Sequence, residues 1–365
     1  MKLKWIALAA LLATQAHAQS NVTMYGVMDV GFVSGSGDVA SWKGLASGRN
    51  MSSRLGFRGV EDLGGGMQAN FILEADIAAD TGTGVTTPFA GWSSTDNKSA
   101  SANGGLQFNR LAVVGLSGAW GAVSAGRNYT PTFLLDFAYD PFGENGAGAS
   151  LLTMTSAYFN PAGSVNHLRA SNLITYTTPA SSTGLSAMVA VAPSETPSTA
   201  AKEGGVTSMK IGYVNGPLMA DVAWAKTTLV SSGDIKTTSI GAAYDFGAIK
   251  PMFEYSRDEL GAAGANGVKK GYLAGATAPL GSGQARFSYS KVDRTADNTT
   301  SGQVTQLALG YVYNLSKRTA LYGTYSHVNN SNYRNTPTAG YSVGSAVSSI
   351  NGSVTGYDLG IRTTF

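Results

Sequence analysis

The residues Tyr357-Asp-Leu-Gly-Ile-Arg-Thr-Thr-Phe365 set the pattern for the chain. With a period of two, Tyr357, Leu359, Ile361, Thr363 and Phe365 share one face, while Asp358, Gly360, Arg362 and Thr364 share the other. Strict alternation predicts a strand with unlike surroundings on its two sides. In a soluble sheet the apolar side lies on a core. In a membrane barrel it meets lipid, and the polar side meets a watery lumen. This one stretch fits both.

The alternation recurs upstream. Residues 22–32 read as a strand and 34–50 as a polar loop. Leu55 and Phe57 oppose Arg54 and Arg58, and the glycines at 64–66 make a tight turn. Met67, Ala69, Phe71, Leu73, Ala75 and Ile77 then oppose Gln68, Asn70, Glu74 and Asp76, ahead of a Gly/Ser/Thr/Asn-rich loop over 80–105. A further pair turns at 118–121, and a long segment spans 130–171. Strand, short turn, strand, longer loop then repeats, with loops near 194–204, 229–236, 260–268, 295–302 and 330–354. About sixteen strands result. Short turns at one end and long loops at the other predict an all-β, up-and-down antiparallel transmembrane barrel. One stretch breaks the rhythm: with Arg110 inward, Phe108, Ala112 and Val114 share its face, so a bulge or a subunit contact is expected there.

Charge decides what fills the barrel. Arg54, Arg58, Glu74, Asp76, Lys210, Asp221, Lys250, Glu254, Arg286, Asp358 and Arg362 sit mostly opposite the apolar stripe. Lys or Arg facing lipid at mid-depth costs about 2–4 kcal/mol, and far less in a lumen. So many inward charges exclude a dry core. Sixteen strands enclose an aqueous channel, where about eight are filled by side chains.

Composition agrees. Glycine numbers 47 of 365 residues, and charged residues are only 13%, about half the usual share. The chain starts with Lys2 and Lys4, a short uncharged run and Ala16-His-Ala18, which predicts a signal peptide over 1–18 ahead of a barrel domain over 19–365. Removing Lys2 and Lys4 lowers the 25 basic residues to 23 against 22 acidic ones. Nothing in that balance, and no basic run, points to nucleic acid. There is no cysteine, and only His167 and His327 remain after the signal. Thiolate and histidine metal sites are therefore not expected, nor is any cofactor. No Gly-x-Ser-x-Gly elbow is present, and the glycines at 64–66 lack a following Gly-Lys-Ser/Thr, so neither a hydrolase nor a phosphate loop is indicated.

Several stretches resemble one family. Residues 22–29 (VTMYGVMD), 53–66 (SRLGFRGVEDLGGG), 108–118 (FNRLAVVGLSG), Gly126-Arg127, 140–143 (DPFG), 309–322 (LGYVYNLSKRTALY) and the terminal Phe365 are similar to the trimeric general porins of Gram-negative outer membranes, in their neisserial and β-proteobacterial branch. The resemblance implies a sixteen-stranded barrel in the cell outer membrane, a homotrimer, and passive diffusion of small hydrophilic solutes. It also implies contact with outer-membrane lipid and lipopolysaccharide, and an assembly machinery for which Phe365 is the C-terminal signal. The third long loop of such porins folds into the barrel, and 130–171 matches it. By the same resemblance Arg54, Arg110 and Arg169 form a basic constriction with Arg58 and Arg127 as neighbours, and Asp136, Asp140 and Glu144 on the loop supply the opposite sign. Fixed charges of that kind set ion selectivity, and a mild anion preference is expected. The competing reading is an adhesin or surface-recognition barrel without an open channel. The charged inward stripe and the long third loop favour the channel.

Overall fold

The computed structural model describes residues 21–84, 105–152, 168–194, 203–229, 233–262, 265–296, 300–332, 348–349 and 351–365. The expected signal peptide and His167 lie outside them. Sixteen antiparallel strands form the wall: β1 (Asn21–Gly37), β2 (Ser41–Ser47 and Arg54–Gly64), β3 (Met67–Ala78), β4 (Leu111–Gly118), β5 (Gly121–Tyr129), β6 (Arg169–Thr177), β7 (Leu185–Ala192), β8 (Glu203–Asn215), β9 (Leu218–Leu229), β10 (Asp234–Tyr244), β11 (Lys250–Ala262), β12 (Ala265–Leu280), β13 (Gly283–Ala296), β14 (Thr300–Asn314), β15 (Thr319–Ser331) and β16 (Ser353–Thr364). Each pairs with the next, and β1 pairs with β16, so the sheet closes into a barrel. The closure runs to the last residue: Gly26 N–H donates to the Phe365 carbonyl and Phe365 N–H to that of Gly26, both at 3.1 Å. A closed sheet has no unpaired edge, the condition for crossing a bilayer with strands.

The face assignment follows the period of two. Phe32 sits opposite both Leu45 and Leu359, and all three are exposed on the outside of the barrel. Asp29, Glu74, Glu254, Lys269 and Asp358 are buried on the inside. Gly64, Gly65 and Gly66 have φ of 80°, 60° and 77°. Three consecutive left-handed residues demand glycine, which explains that turn.

Three expectations change. The polar stretch 34–50 is mostly strand: β1 continues to Gly37 and the first half of β2 pairs Ser36 with Ser41 through Val30 with Ser47. Small polar residues serve there because the inner face meets water. Likewise β11–β14 run through most of the loops expected at 260–268 and 295–302. Their ends carry same-face pairs such as Arg257–Glu259 and Lys291–Asp293 rather than apolar residues. Third, β4 pairs with β3 without a shift, from Gln68 opposite Ser117 to Glu74 opposite Leu111. The irregularity lies just before it: a bend at Arg110 frees that residue from the alternation, so its side chain points inward while Val114 and Leu116 face outward.

A second break interrupts β2 at 48–53. Asp29 of β1 holds it, its carboxylate accepting from the N–H groups of Asn50 (2.8 Å) and Met51 (2.6 Å) and its backbone pairing with Gly48 and Ser53. The break leans Asn50, Met51 and Ser52 into the lumen.

Candidate functional site

The segment after β5 turns into the barrel. Thr130 caps a short helix, α1 (Pro131–Tyr139), its hydroxyl accepting from Phe133 N–H at 3.2 Å, and Pro131 occupies the first turn. Both are strong start signals. α1 packs on the inner wall: Leu135 and Tyr139 join Ala223 of β9 and Ala243 of β10 in one buried cluster. The Tyr139 hydroxyl donates to Asp221 of β9 at 2.8 Å.

Glycines on the wall seat the loop. The Tyr139 ring lies over Gly241, Pro141 over Gly275, Phe142 over Gly310 and Leu152 over Gly271. A Cβ at any of these positions would fall within 2.1–2.7 Å of the loop atom above it. Polar ties finish the docking. Ala147 N–H donates to Asp358 of β16 (2.6 Å), which also accepts from Arg49; Gln306 of β14 donates to the Ala147 carbonyl (2.7 Å); Lys269 of β12 donates to that of Leu152 (2.8 Å). Asn145 accepts from Ser52 at 3.0 Å. Leu151 and Leu152 fill a core with Leu273, Val292, Val304, Val328 and Val354.

The opposite wall carries the arginines. Arg110 is buried and bound on three sides: Nε to Glu74 (2.5 Å), Nη1 to Asp76 (2.6 Å), Nη2 to the Tyr129 hydroxyl (2.8 Å). Arg169 donates to the same hydroxyl at 2.9 Å and stacks over the Tyr129 ring at 4.5 Å. Arg54 approaches Glu74 at 3.6 Å and keeps part of its side chain exposed. The structure thus brings Arg54, Arg110 and Arg169 together around Glu74, Asp76 and Tyr129. Arg127 and Arg58 stand apart. Arg127 donates to the Asn109 carbonyl (2.5 Å) and to Ser171 (3.1 Å), tying down the loop ends. Arg58 is exposed, over the Tyr25 ring at 5.5 Å, farther toward the short turn after β2.

The loop acids have other tasks. Asp136 is buried against Glu254 of β11. Asp140 accepts from Phe142, Glu144 and Ser150 N–H, forming the bend after α1. Burial pushes its carboxyl up from the ordinary range, against those donors and Arg286. Glu144 adopts a left-handed backbone, φ 58°. Asp136 is buried, and Asp140 borders the space near Arg286 with its carboxylate taken up by three backbone donors.

Between the two walls lies a cavity of about 800 Å³. Its lining includes Arg54, Arg110, Arg169, Lys250, Arg286 and Arg362 against Glu74, Asp76, Asp140 and Glu144. Among the described residues, Arg286 and Arg362 make no ion pair within 4 Å. Arg286 bonds Gln284 at 3.1 Å. Sequence reasoning put Lys250, Arg286 and Arg362 in the lumen but not at this site. It also missed Phe133, Leu134 and Phe137, which line the cavity from α1. The Pro131 start and the spacing of Phe133 and Phe137 were the available signals. Fixed charges of both signs thus border the water-filled space.

Comparisons with known proteins identify the family. A family model described as Gram-negative porin matches residues 5–333. The outer membrane porin protein 32 of Delftia acidovorans is 35% identical over 379 residues, covering all of both chains. An outer membrane porin of Bordetella pertussis is 29% identical, over 89% of this chain and 93% of its own. The solved structure of an anion-selective porin from Comamonas acidovorans superposes with a TM-score of 0.81 at 31% identity, over 95% of this chain and 100% of that one.

Proposed function

From the premise that the chain belongs to the Gram-negative porin family, and is therefore an outer-membrane channel rather than an adhesin, we propose that its pore selects small hydrophilic anions at the constriction described above. The carrying observation is the inequality of the two charge sets. Among the described residues Arg286 and Arg362 border the cavity with no ion pair within 4 Å, and Arg54 meets Glu74 only at 3.6 Å with part of its side chain exposed, while Asp136 and Asp140 are committed to the loop and the wall. Arg110 is largely neutralised by Glu74 and Asp76. The resulting preference is mild, because Glu74, Asp76 and Glu144 also border the space.

The rest of the reading goes with it. The proposed mature chain starts after Ala18, assembles as a homotrimer among outer-membrane lipid and lipopolysaccharide, and presents Phe365 to the assembly machinery. Solutes cross by diffusion, with no catalytic step, metal or cofactor. The test is single-channel recording in planar bilayers across a potassium chloride gradient. Current steps in groups of three with a zero-current potential displaced toward that of chloride are expected. Displacement toward potassium would overturn the proposed selectivity, and single steps would overturn the trimer.

A further inference from the structure

The cavity carries a chemistry that charge selection leaves unused. α1 turns Thr132, Leu135, Asp136 and Tyr139 to the interior of the loop and wall, where all are buried. Toward the water it turns Leu134 and Phe137, both of which line the cavity, and Phe137 is 50% exposed. An apolar ring facing water in a hydrophilic channel lowers its free energy when another apolar group covers it. The ring is also part of a series. Arg169 stacks on Tyr129 (4.5 Å), Tyr129 stacks on Phe133 (5.2 Å, planes 20° apart), and Phe133 meets Phe137 (6.1 Å, 40°). The series leads from the arginine wall across to the uncovered ring.

Resting on the anion-channel reading, we propose that this constriction transiently binds carboxylates that carry an aromatic ring. The ring packs on Phe137 and Leu134, and the carboxylate turns toward Arg54, the partly exposed guanidinium of the arginine wall. Guanidinium and carboxylate match as planar groups that form paired hydrogen bonds. Offset or tilted aromatic contacts add about 0.5–1.5 kcal/mol beyond buried area, roughly a twofold to tenfold gain in occupancy. Glu74 and Asp76 beside Arg110 disfavour polyanions, which would bring a second negative group against them. A cavity of about 800 Å³ lies within the usual range for small-molecule sites, about 300–1,000 Å³. Thus the class is a compact monocarboxylate with one ring.

The experiment uses the purified full-length barrel in planar bilayers, first in a potassium chloride gradient, then with sodium benzoate or sodium butyrate added at matched concentration. Interruption of the chloride current gives a dissociation constant for each. Benzoate is expected to bind about twofold to tenfold more tightly than butyrate, the ratio falling to near one in Phe137→Ser and surviving in Phe137→Tyr. Equal constants in the natural protein overturn the aromatic site while leaving anion selection standing, and so does a ratio that Phe137→Ser leaves intact. A cation-directed zero-current potential in the first measurement overturns the anion reading itself.

Discussion

From β2 to β6 the inner wall carries arginines, carboxylates and a bridging tyrosine. From β10 to β14 it carries glycines at 241, 271, 275 and 310. Both walls use the same inward half of the same alternation, and they treat it in opposite ways. One places long charged side chains where they reach into the cavity. The other keeps some charges, such as Arg286, but removes side chains at four positions so that a loop can lie flat on the strands. Narrowing a wide barrel needs both, because a loop lying over large residues would block the lumen, and bare strands would leave it unselective.

Substitutions that convert one wall toward the other have graded effects. The largest belongs to Arg110→Ala. Removing one partner of a buried ion pair costs about 3–5 kcal/mol, because Glu74 and Asp76 are left without their close counter-charge. The urea midpoint of the folded barrel should fall accordingly, and the zero-current potential should move toward potassium. Unchanged selectivity would mean the cluster is not at the limiting section. Next comes Gly241→Leu, which puts a side chain where the Tyr139 ring now lies. Overpacking of this kind costs about 1–3 kcal/mol. It should unseat α1 and raise single-channel conductance, while the arginine wall keeps its ion preference. Arg54→Gln should alter stability within about 0.5 kcal/mol, as partly exposed positions do, yet lower the chloride-to-potassium permeability ratio measurably. Arg58→Gln should change least. Its side chain lies outside the arginine–Tyr129 cluster, and a shift as large as that of Arg54→Gln would extend the selective region toward the short-turn end of the barrel.

The two walls were unequally legible in the sequence. Strands announce themselves through alternation, so β3, β13, β14 and β16 were evident. The first half of β2 was not, because residues 41–47 face water on one side and lack an apolar row of any length. Arginines at 54, 110 and 169 stood out through their flanking residues, and they do converge. Their partners did not stand out: that Tyr129 bridges Arg110 and Arg169 depends on the bend at Arg110 and the start of α1, which pattern alone does not encode. The glycine wall was the least legible. One or two inward glycines in a strand look like weak strand or turn, and only the loop above Gly241 and Gly310 reveals a seat. Asp136 and Asp140 read as selectivity acids because charge on a pore loop is ordinarily solvent-facing. Tertiary burial and backbone donors redirect them.

The seat of the loop also sets a sequence of events. α1 docks on β9 and β10, roughly a hundred residues downstream, whereas Ala147 binds Asp358, 211 residues away on the final strand. Contacts so distant along the chain form late, since closing the intervening length must come first. The helix therefore has a landing place while the sheet is still open, and Leu152 and Phe142 find theirs on β12 and β14, but Ala147 gains Asp358 only when β16 arrives and meets β1. The channel takes its final calibre at the moment the ring is completed. A barrel caught before that step would be wider than the finished one, and its current would report its age.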